Sequence, residues 1–398
     1  MRIARVLTRL NLGGPARQVL ASDPLLVRAG HAVRVFCGAA EKGEGDLADE
    51  LAARGIEVER VSGLARGLNP AKDLWALSAL RSKLAAFRPQ IVHTHASKAG
   101  ALGRRAAAAL GGARTVHTFH GHVLEGYFPD IVSRRLIAQE RRLAARTDRV
   151  IAVAHATADD LVRLGVVDPA KLVVVPPGIE IEPFLALARP APGTSEWSAA
   201  RRGPLRALLG ADPARALVGV IGRLAEVKQP LRALEVLKLL AAKHARLELV
   251  YVGDGELYAP LVRAVRALEP ELARRVHVLG ARADMPELLA ELDAVLLCSR
   301  SEGAPVCLIE AHAAALPAVA MDVGGVGELV AHERTGFLAK SVDELAFGLD
   351  KLLESDAFAH GCGLRGRLRV RERHSGAALA ARLDGLYHEV WEAAPCAS

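Results

Sequence analysis

Two glutamates, Glu302 and Glu310, flank a proline in the run Ser299-Arg300-Ser301-Glu302-Gly303-Ala304-Pro305-Val306-Cys307-Leu308-Ile309-Glu310. Upstream, Ala294-Val295-Leu296-Leu297-Cys298 is a short apolar run suited to a strand buried on both faces of a parallel sheet. Pro305 suits the first helical position, because its φ is already fixed and its missing N–H costs nothing there; Val306 to Ala315 follow without a breaker. Glu302 then falls in the loop and Glu310 about a turn and a half into the helix. Free N–H groups at that helix start, reinforced by the helix dipole, favour an anion between the two acids. A ligand presenting hydroxyl, phosphate and hydroxyl in that order fits. A surface helix with two unrelated glutamates is the plainer alternative.

Other chemistry-bearing residues also follow apolar runs. Gly222-Arg223-Leu224-Ala225-Glu226-Val227-Lys228 comes directly after Leu217 to Ile221 and puts two cations at a strand's carboxyl end, where they can neutralise a departing diphosphate. His93-Thr94-His95 followed by Lys98, and His120-Gly121-His122 after Thr115 to Phe119, place polar groups at further strand ends. A histidine there can donate to a hydroxyl or relay a proton. His93 and His95 alone, with no third ligand in view, make a poor metal site. Gly13 and Gly14, between Ile3 to Leu7 and a helix from about Ala16, let backbone amides approach a ligand, although an ordinary tight turn explains them as well.

The elements that must position these residues alternate regularly. Strands at Ala32 to Cys37, Glu57 to Val61, Ile91 to His95, Val150 to Ala154 and Leu172 to Val175, with helices near Gly45 to Arg54, Ala71 to Phe87 and Ile131 to Arg149, predict a doubly wound parallel sheet. Residues 183 to 204, rich in Pro, Gly, Ser and Ala, read as a linker. A second βα series runs from Leu217 through Glu248 to Val252, Val276 to Gly280 and Ala318 to Met321, with a glycine loop at Val323 to Glu328. An amphipathic helix closes the chain over 376 to 393. The expected division is 1–182, a linker at 183–204, 205–375, and a final segment at 376–398.

The Glu302 to Glu310 run resembles the Glu-x7-Glu motif of the retaining nucleotide-sugar glycosyltransferases of family four, which have the two-domain GT-B fold. That resemblance implies two doubly wound Rossmann-like α/β domains facing a cleft, with the second binding a nucleotide sugar. It implies that Glu302 approaches the donor sugar, that Glu310 holds the ribose hydroxyls, and that the backbone of Gly303, Ala304, Pro305 and Val306 meets sugar and phosphates. Many relatives carry an aromatic where this chain has Ala304. Gly222-Arg223-Leu224 with Lys228 is similar to the family's diphosphate-binding pattern at slightly altered spacing. The resemblance further places Gly13 and Gly14 at the cleft, with Gly14 against the diphosphate, and His120 at the donor sugar, with His122 as the alternative. Asp254 falls in a nucleotide-side loop, and Val278 and Leu279 fall where backbone would meet the base. The stretches 93–100 and 117–127 resemble bacterial exopolysaccharide transferases, which puts His95 and Lys98 on the acceptor side.

Composition narrows the classes. A chain of 398 residues, 51% hydrophobic and 24% charged, has core material for two soluble domains. No apolar run approaches a membrane span, and the N-terminus lacks a signal pattern, so a cytoplasmic location is expected. The cysteines, Cys37, Cys298, Cys307, Cys362 and Cys396, have no metal or redox spacing and read as reduced thiols. Basic residues outnumber acidic ones 27 to 19 over 1–200 but stand at 25 to 26 over 201–398. The first half therefore suits an anionic surface or substrate, and the arginine-rich helix at 131–149 can rest on acidic headgroups. Nucleic acid lacks support, since no interleaved aromatics, zinc spacing or helix-turn-helix pattern is present. The expectation is retaining transfer, without cofactor or metal, of a hexosyl or N-acetylhexosaminyl group from a nucleotide sugar, UDP-linked, to a lipid-linked or surface-polysaccharide acceptor, with peripheral contact to the inner membrane face. A sugar-nucleotide epimerase or a non-catalytic sugar-nucleotide-binding protein are the alternatives.

Overall fold

The computed structural model describes residues 1–40, 45–67, 69–121, 124–125 and 128–393. The chain divides into two compact units, one of Met1–Glu180 with Arg373–Ser398 and one of Ile181–Glu372.

The first unit holds strands β1 (Arg2–Leu7), β2 (Ala32–Cys37), β3 (Glu57–Arg60), β4 (Ile91–His95), β5 (Arg114–Phe119), β6 (Arg149–Ala152) and β7 (Leu172–Val174). They form a wholly parallel sheet in the order β3-β2-β1-β4-β5-β6-β7. The second unit repeats the plan with β8 (Ala216–Ile221), β9 (Leu247–Val252), β10 (Val276–Val278), β11 (Ala294–Leu297), β12 (Ala318–Met321) and β13 (Gly336–Ala339). Their order is β10-β9-β8-β11-β12-β13, again parallel throughout. Helices covering both faces explain why β1, β4 and β11 are buried along almost their whole length instead of alternating. In each sheet the strand order reverses once, between β1 and β4 and between β8 and β11, and open α/β sheets take their ligands just beyond the carboxyl ends at such a switch point.

Residues 183–204, expected as a linker, lie within the second unit and carry helices Glu182–Leu185 and Ser195–Ala200. The Arg189 guanidinium donates to the carbonyls of Ala314, Leu292 and Leu289, which fastens the segment to the domain. Helix Pro204–Leu209 is fastened in turn by Glu291, whose carboxylate accepts from the N–H groups of Leu205 and Arg206 at 2.7 and 2.9 Å. The loose composition hid these side-chain anchors.

Helix Gly376–Glu392 packs in the first unit, capped by Ser375, whose Oγ accepts from Ala378 N at 3.1 Å. Its face of Leu379, Leu383, Leu386, Tyr387 and Val390 shares one core with Ile3, Leu26, Ile91 and Val116. The strand β13 and helix Val342–Glu354 were not anticipated, because Gly336-Phe337-Leu338-Ala339 is too short to show periodicity.

Candidate active site

At the second unit's switch point the residues after β8 and β11 meet. The Glu302 carboxylate accepts from Lys228 Nζ at 2.6 Å and from Ser299 Oγ at 2.6 Å. The Glu302 side chain is 7% exposed and that of Lys228 28%. Burial pulls the Lys228 ammonium down, but the Glu302 carboxylate beside it outweighs that, and the net shift is upward, so Lys228 stays charged. Two backbone ties hold the pair. Arg300 N donates to Val227 O at 2.8 Å, and Gly325 N reaches Glu302 O at 3.4 Å. Gly324 sits at φ +53°, and a Cβ there would lie 1.8 Å from Glu302 O, so only glycine lets the Val323 to Glu328 loop close on the glutamate.

Pro305 does not take the first helical position. With φ −71° and ψ 114° it is the extended residue before helix Val306–Ala313, which ends two residues earlier than expected because Ala315 turns left-handed at φ +53°. No side chain caps this helix among the described residues, and Leu308 N already donates to Pro305 O at 3.1 Å, so the N–H groups of Val306 and Cys307 are the ones left for an anion. Gly303 and Ala304 form the approach to it. Glu310 lies one turn in and is buried. Burial pushes the Cys307 thiol up to about 12, which makes it inert beside the two acids.

The Arg223 guanidinium is exposed and 3.9 Å from Glu256, and its charge reaches Lys228, slightly opposing the lysine's upward shift. Asp254 shapes its own turn. Its carbonyl accepts from Leu224 N at 2.9 Å and its carboxylate from Gly255 N at 2.7 Å. The turn closes because Gly253, at φ +146°, leaves room where a Cβ would lie 1.9 Å from Gly222 O. Val278 pairs with Tyr251, and Leu279 N donates to Tyr251 O at 3.0 Å. Of the backbone expected at the base, the Leu279 N–H is therefore engaged within the sheet.

The first unit's switch point is built from histidines. His93 and His95 on β4 stack at 4.3 Å, and His95 stacks on His120 at 5.2 Å with its Nδ1 2.9 Å from His120 Nε2. Beneath them Arg5 Nη1 donates to His93 Nδ1 at 2.8 Å and to the Tyr387 hydroxyl at 2.5 Å, while Asp23 lies 3.5 Å from Arg5 Nε. His93 Nε2 contacts Thr118 Oγ1 at 2.7 Å. Burial, with Arg5 adding to it, holds His93 well below the usual imidazole value, and His120 is brought down to about 3. His95 and His117 are likewise pushed well down, first by burial. All four rings are therefore neutral.

Gly13 precedes helix Gly14–Arg28, which has Pro15 in its first turn and no side-chain cap. Gly13 itself is extended, and its N–H turns back to Asn11 Oδ1 at 3.3 Å. Lys98, expected on the acceptor side, is occupied elsewhere: its ammonium is 2.7 Å from Asp73 and donates to Gly67 O, securing the start of helix Pro70–Phe87. His95 is buried rather than presented to a ligand. His122 and Cys396 lie outside the described residues.

Sequence reasoning assigned no role to Ser299, Arg5, Tyr387 or His117. A charged residue in the middle of the apolar strand Ile3-Ala4-Arg5-Val6-Leu7 was the available signal, since an arginine buried there requires partners. The structure also gathers His31, Asp384 and His388, with potential ligand atoms within 4.8 Å of one another. His31 already contacts Asp384 Oδ1 at 2.7 Å through Nε2 and the Met1 ammonium at 3.2 Å through Nδ1, so both ring nitrogens are engaged in hydrogen bonds.

The chain matches the family model for Glycosyltransferase Family 4 over residues 12–183 and that for Glycosyl transferases group 1 over 204–369. It is 31% identical over 346 residues to the UDP-Gal:alpha-D-GlcNAc-diphosphoundecaprenol alpha-1,3-galactosyltransferase of Escherichia coli, covering 86% of this chain and 85% of that protein. It is 30% identical over 375 residues to the D-inositol 3-phosphate glycosyltransferase of Rhodococcus opacus, covering 87% of this chain and 79% of that one. Among solved structures, Anabaena HepE in complex with UDP-glucose superimposes with a TM-score of 0.80 at 22% identity, over 98% of this chain and 100% of that one. WaaG, a glycosyltransferase involved in lipopolysaccharide biosynthesis, gives 0.72 at 19% identity, over 96% of this chain and 99% of that one.

Proposed function

The chain belongs to the family-four glycosyltransferases of GT-B fold, and on that premise we propose that it moves a hexosyl or N-acetylhexosaminyl group from a UDP-sugar, with retention, to a lipid-linked diphosphate acceptor. The observation that carries this reading is the Lys228–Glu302 pair beside an uncapped helix start at a switch point. A departing nucleoside diphosphate develops negative charge there, and Lys228, Arg223 and the N–H groups of helix Val306–Ala313 supply fixed positive counterparts. Glu302, held by Lys228 and Ser299, is positioned for the sugar, and Glu310 for the ribose. Because these charges are built into the protein, transfer proceeds without a bound metal.

The acceptor class draws on the E. coli relative's diphosphoundecaprenol substrate and on the surface of the first unit. Phe128, Ile131 and Val132 are exposed at the start of helix Asp130–Ala145, which carries Arg134, Arg135, Arg141 and Arg142. Exposed apolar residues beside arginines suit an anionic membrane surface, where such acceptors reside. Among the described residues no helix is long and apolar enough to cross a membrane.

The test is turnover of a panel of UDP-, GDP-, ADP- and dTDP-sugars, with GlcNAc-diphospho-lipid in anionic vesicles, with and without EDTA, as salt is raised. Turnover of a UDP-sugar that survives EDTA and declines with salt is expected, since surface attraction is screened over about 8 Å at physiological ionic strength. Loss of turnover in EDTA would overturn the metal-free step, and salt-indifferent vesicle binding would overturn the membrane contact.

A further inference from the structure

The His95–His120 contact has two possible proton arrangements, and they present different groups to a ligand. Either His120 Nε2–H donates to His95 Nδ1, or His95 Nδ1–H donates to His120 Nε2, at the observed 2.9 Å. In the first arrangement His95 carries its remaining proton on Nε2. That atom is buried and has no hydrogen-bond partner among the described residues, so the arrangement leaves an orphaned donor. In the second arrangement His95 Nε2 is a bare acceptor. Buried orphan donors are rarer in proteins than under-satisfied acceptors, so the second arrangement is the less costly one.

His117, on the adjacent strand, supports this assignment. Its Nδ1 lies 2.8 Å from Thr94 Oγ1, and that hydroxyl donates onward to Val116 O at 3.4 Å. His117 Nε2 has no partner among the described residues, so a proton there would be another orphaned donor, and by the same cost His117 carries its proton on Nδ1 and donates to Thr94 Oγ1. Two neighbouring buried histidines thus share one pattern, with Nδ1 protonated and Nε2 empty.

We propose that His95 is a positioning residue that donates from Nδ1 to His120 Nε2, fixing His120 in the tautomer whose Nδ1–H is free to donate to a ligand oxygen. Among the described residues His120 Nδ1 has a contact with the Gln18 side-chain amide, whose Nε2 lies 3.5 Å away, at the limit of a hydrogen bond. That nitrogen is a donor and cannot take the Nδ1 proton, and the amide turned over would offer Oε1 as an acceptor instead, so the proton is not firmly committed within the protein. The ligand class is a neutral hydroxyl, because a neutral imidazole offers one donor without a charge. The device is held from behind. His95 lies against His93, which Arg5 and Tyr387 orient, and the chain leaves β4 through Ala96 at φ +56° and ψ 179°, a conformation costly for a residue with a Cβ. This inference rests on the reading of His120 as the group facing the donor sugar.

The proton position is measured by long-range 15N–1H spectra of histidine-labelled protein, with His120 assigned by its loss in His120→Asn. A His120 signal with Nδ1 protonated and Nε2 bare is expected, and the opposite tautomer would overturn the proposal whatever the enzyme's activity. Turnover is then compared in His95→Asn and His95→Ala, with UDP-galactose and a GlcNAc-diphospho-lipid as probes. Asparagine carries an N–H near the position of imidazole Nδ1 and keeps the donor. His95→Asn should therefore retain kcat within a few-fold. His95→Ala should lose about tenfold at unchanged KM, short of the roughly hundredfold expected for removing the ligand-facing donor in His120→Ala. Equal losses in the two His95 variants would overturn the tautomer role. Unchanged turnover in His120→Ala, with the Nδ1–H tautomer still observed, would instead refute the reading of His120 at the sugar.

Discussion

The two switch points occupy equivalent places in two sheets of the same topology, yet they are built from opposite chemistry. After β8 and β11 the chain sets a charged lysine on a charged glutamate at 2.6 Å and leaves Arg223 exposed. At the ends of β4 and β5 it gathers neutral histidines instead, His93, His95 and His120 near a buried Arg5–Asp23 pair and His117 on the other face of the sheet beside Thr94. The difference lies in where water reaches. Lys228 keeps about a quarter of its surface exposed and a carboxylate in contact, so its charge survives, whereas the histidine rings are enclosed, with cations nearby, and cannot hold a proton. A charged site matches a diphosphate, and a neutral one matches hydroxyls.

The largest expected effect tests the charged half. Glu302→Gln keeps a hydrogen-bonding partner for Ser299 but leaves Lys228 without its counter-charge, and kcat should fall about a thousandfold in a donor-turnover assay. A fall of less than tenfold would remove Glu302 from the reacting centre. Lys228→Ala and Arg223→Ala should each lower kcat on the order of a hundredfold. If Arg223→Ala alone retains full rate, the diphosphate rests on Lys228 and the helix start.

The neutral half is tested by acid. An unfolded histidine takes up a proton near pH 6.5, but the folded rings resist until far lower, about 3 for His120. The unfolded state therefore binds more protons below about pH 6.5, and stability declines as pH falls through that window. Each of His93, His95, His117 and His120 contributes up to about 1.4 kcal/mol per pH unit at the limit. Denaturant melts from pH 7 to 5 should show this steep loss, with a smaller slope in His120→Asn. A flat profile would mean the rings titrate in the folded protein.

Glu310→Ala should raise donor KM with little change in kcat, because a ribose contact acts equally in ground and transition states. A kcat loss at constant KM would move Glu310 into the reacting centre. The smallest effect is expected for Lys98→Met, which removes the partly exposed pair with Asp73. A loss on the order of 0.5–1 kcal/mol in thermal or denaturant melts, with acceptor KM unchanged, would confirm it as a fastener of helix Pro70–Phe87. A raised acceptor KM would return it to the acceptor site.

The sequence by itself determined the two βα series, most strand positions and the place of Glu302, because apolar runs buried on both faces and residues such as Pro305 act locally. It also carried the family, since the Glu302 to Glu310 run and Gly222 to Lys228 are contiguous. Tertiary structure alone decided what depends on distant partners. Lys228 and Glu302 are separated in sequence by a whole run of strands and helices and meet only because β8 and β11 are neighbours. The same holds for Arg5, His93 and Tyr387, drawn from three corners of the chain into one buried network. Lys98 looked like a site residue until Asp73 was placed beside it, and the segment 183–204 looked like a tether until Arg189 found three carbonyls. Strand and helix periodicity reports which face is buried, but the charge state of a buried group is set by the neighbours the fold brings to it.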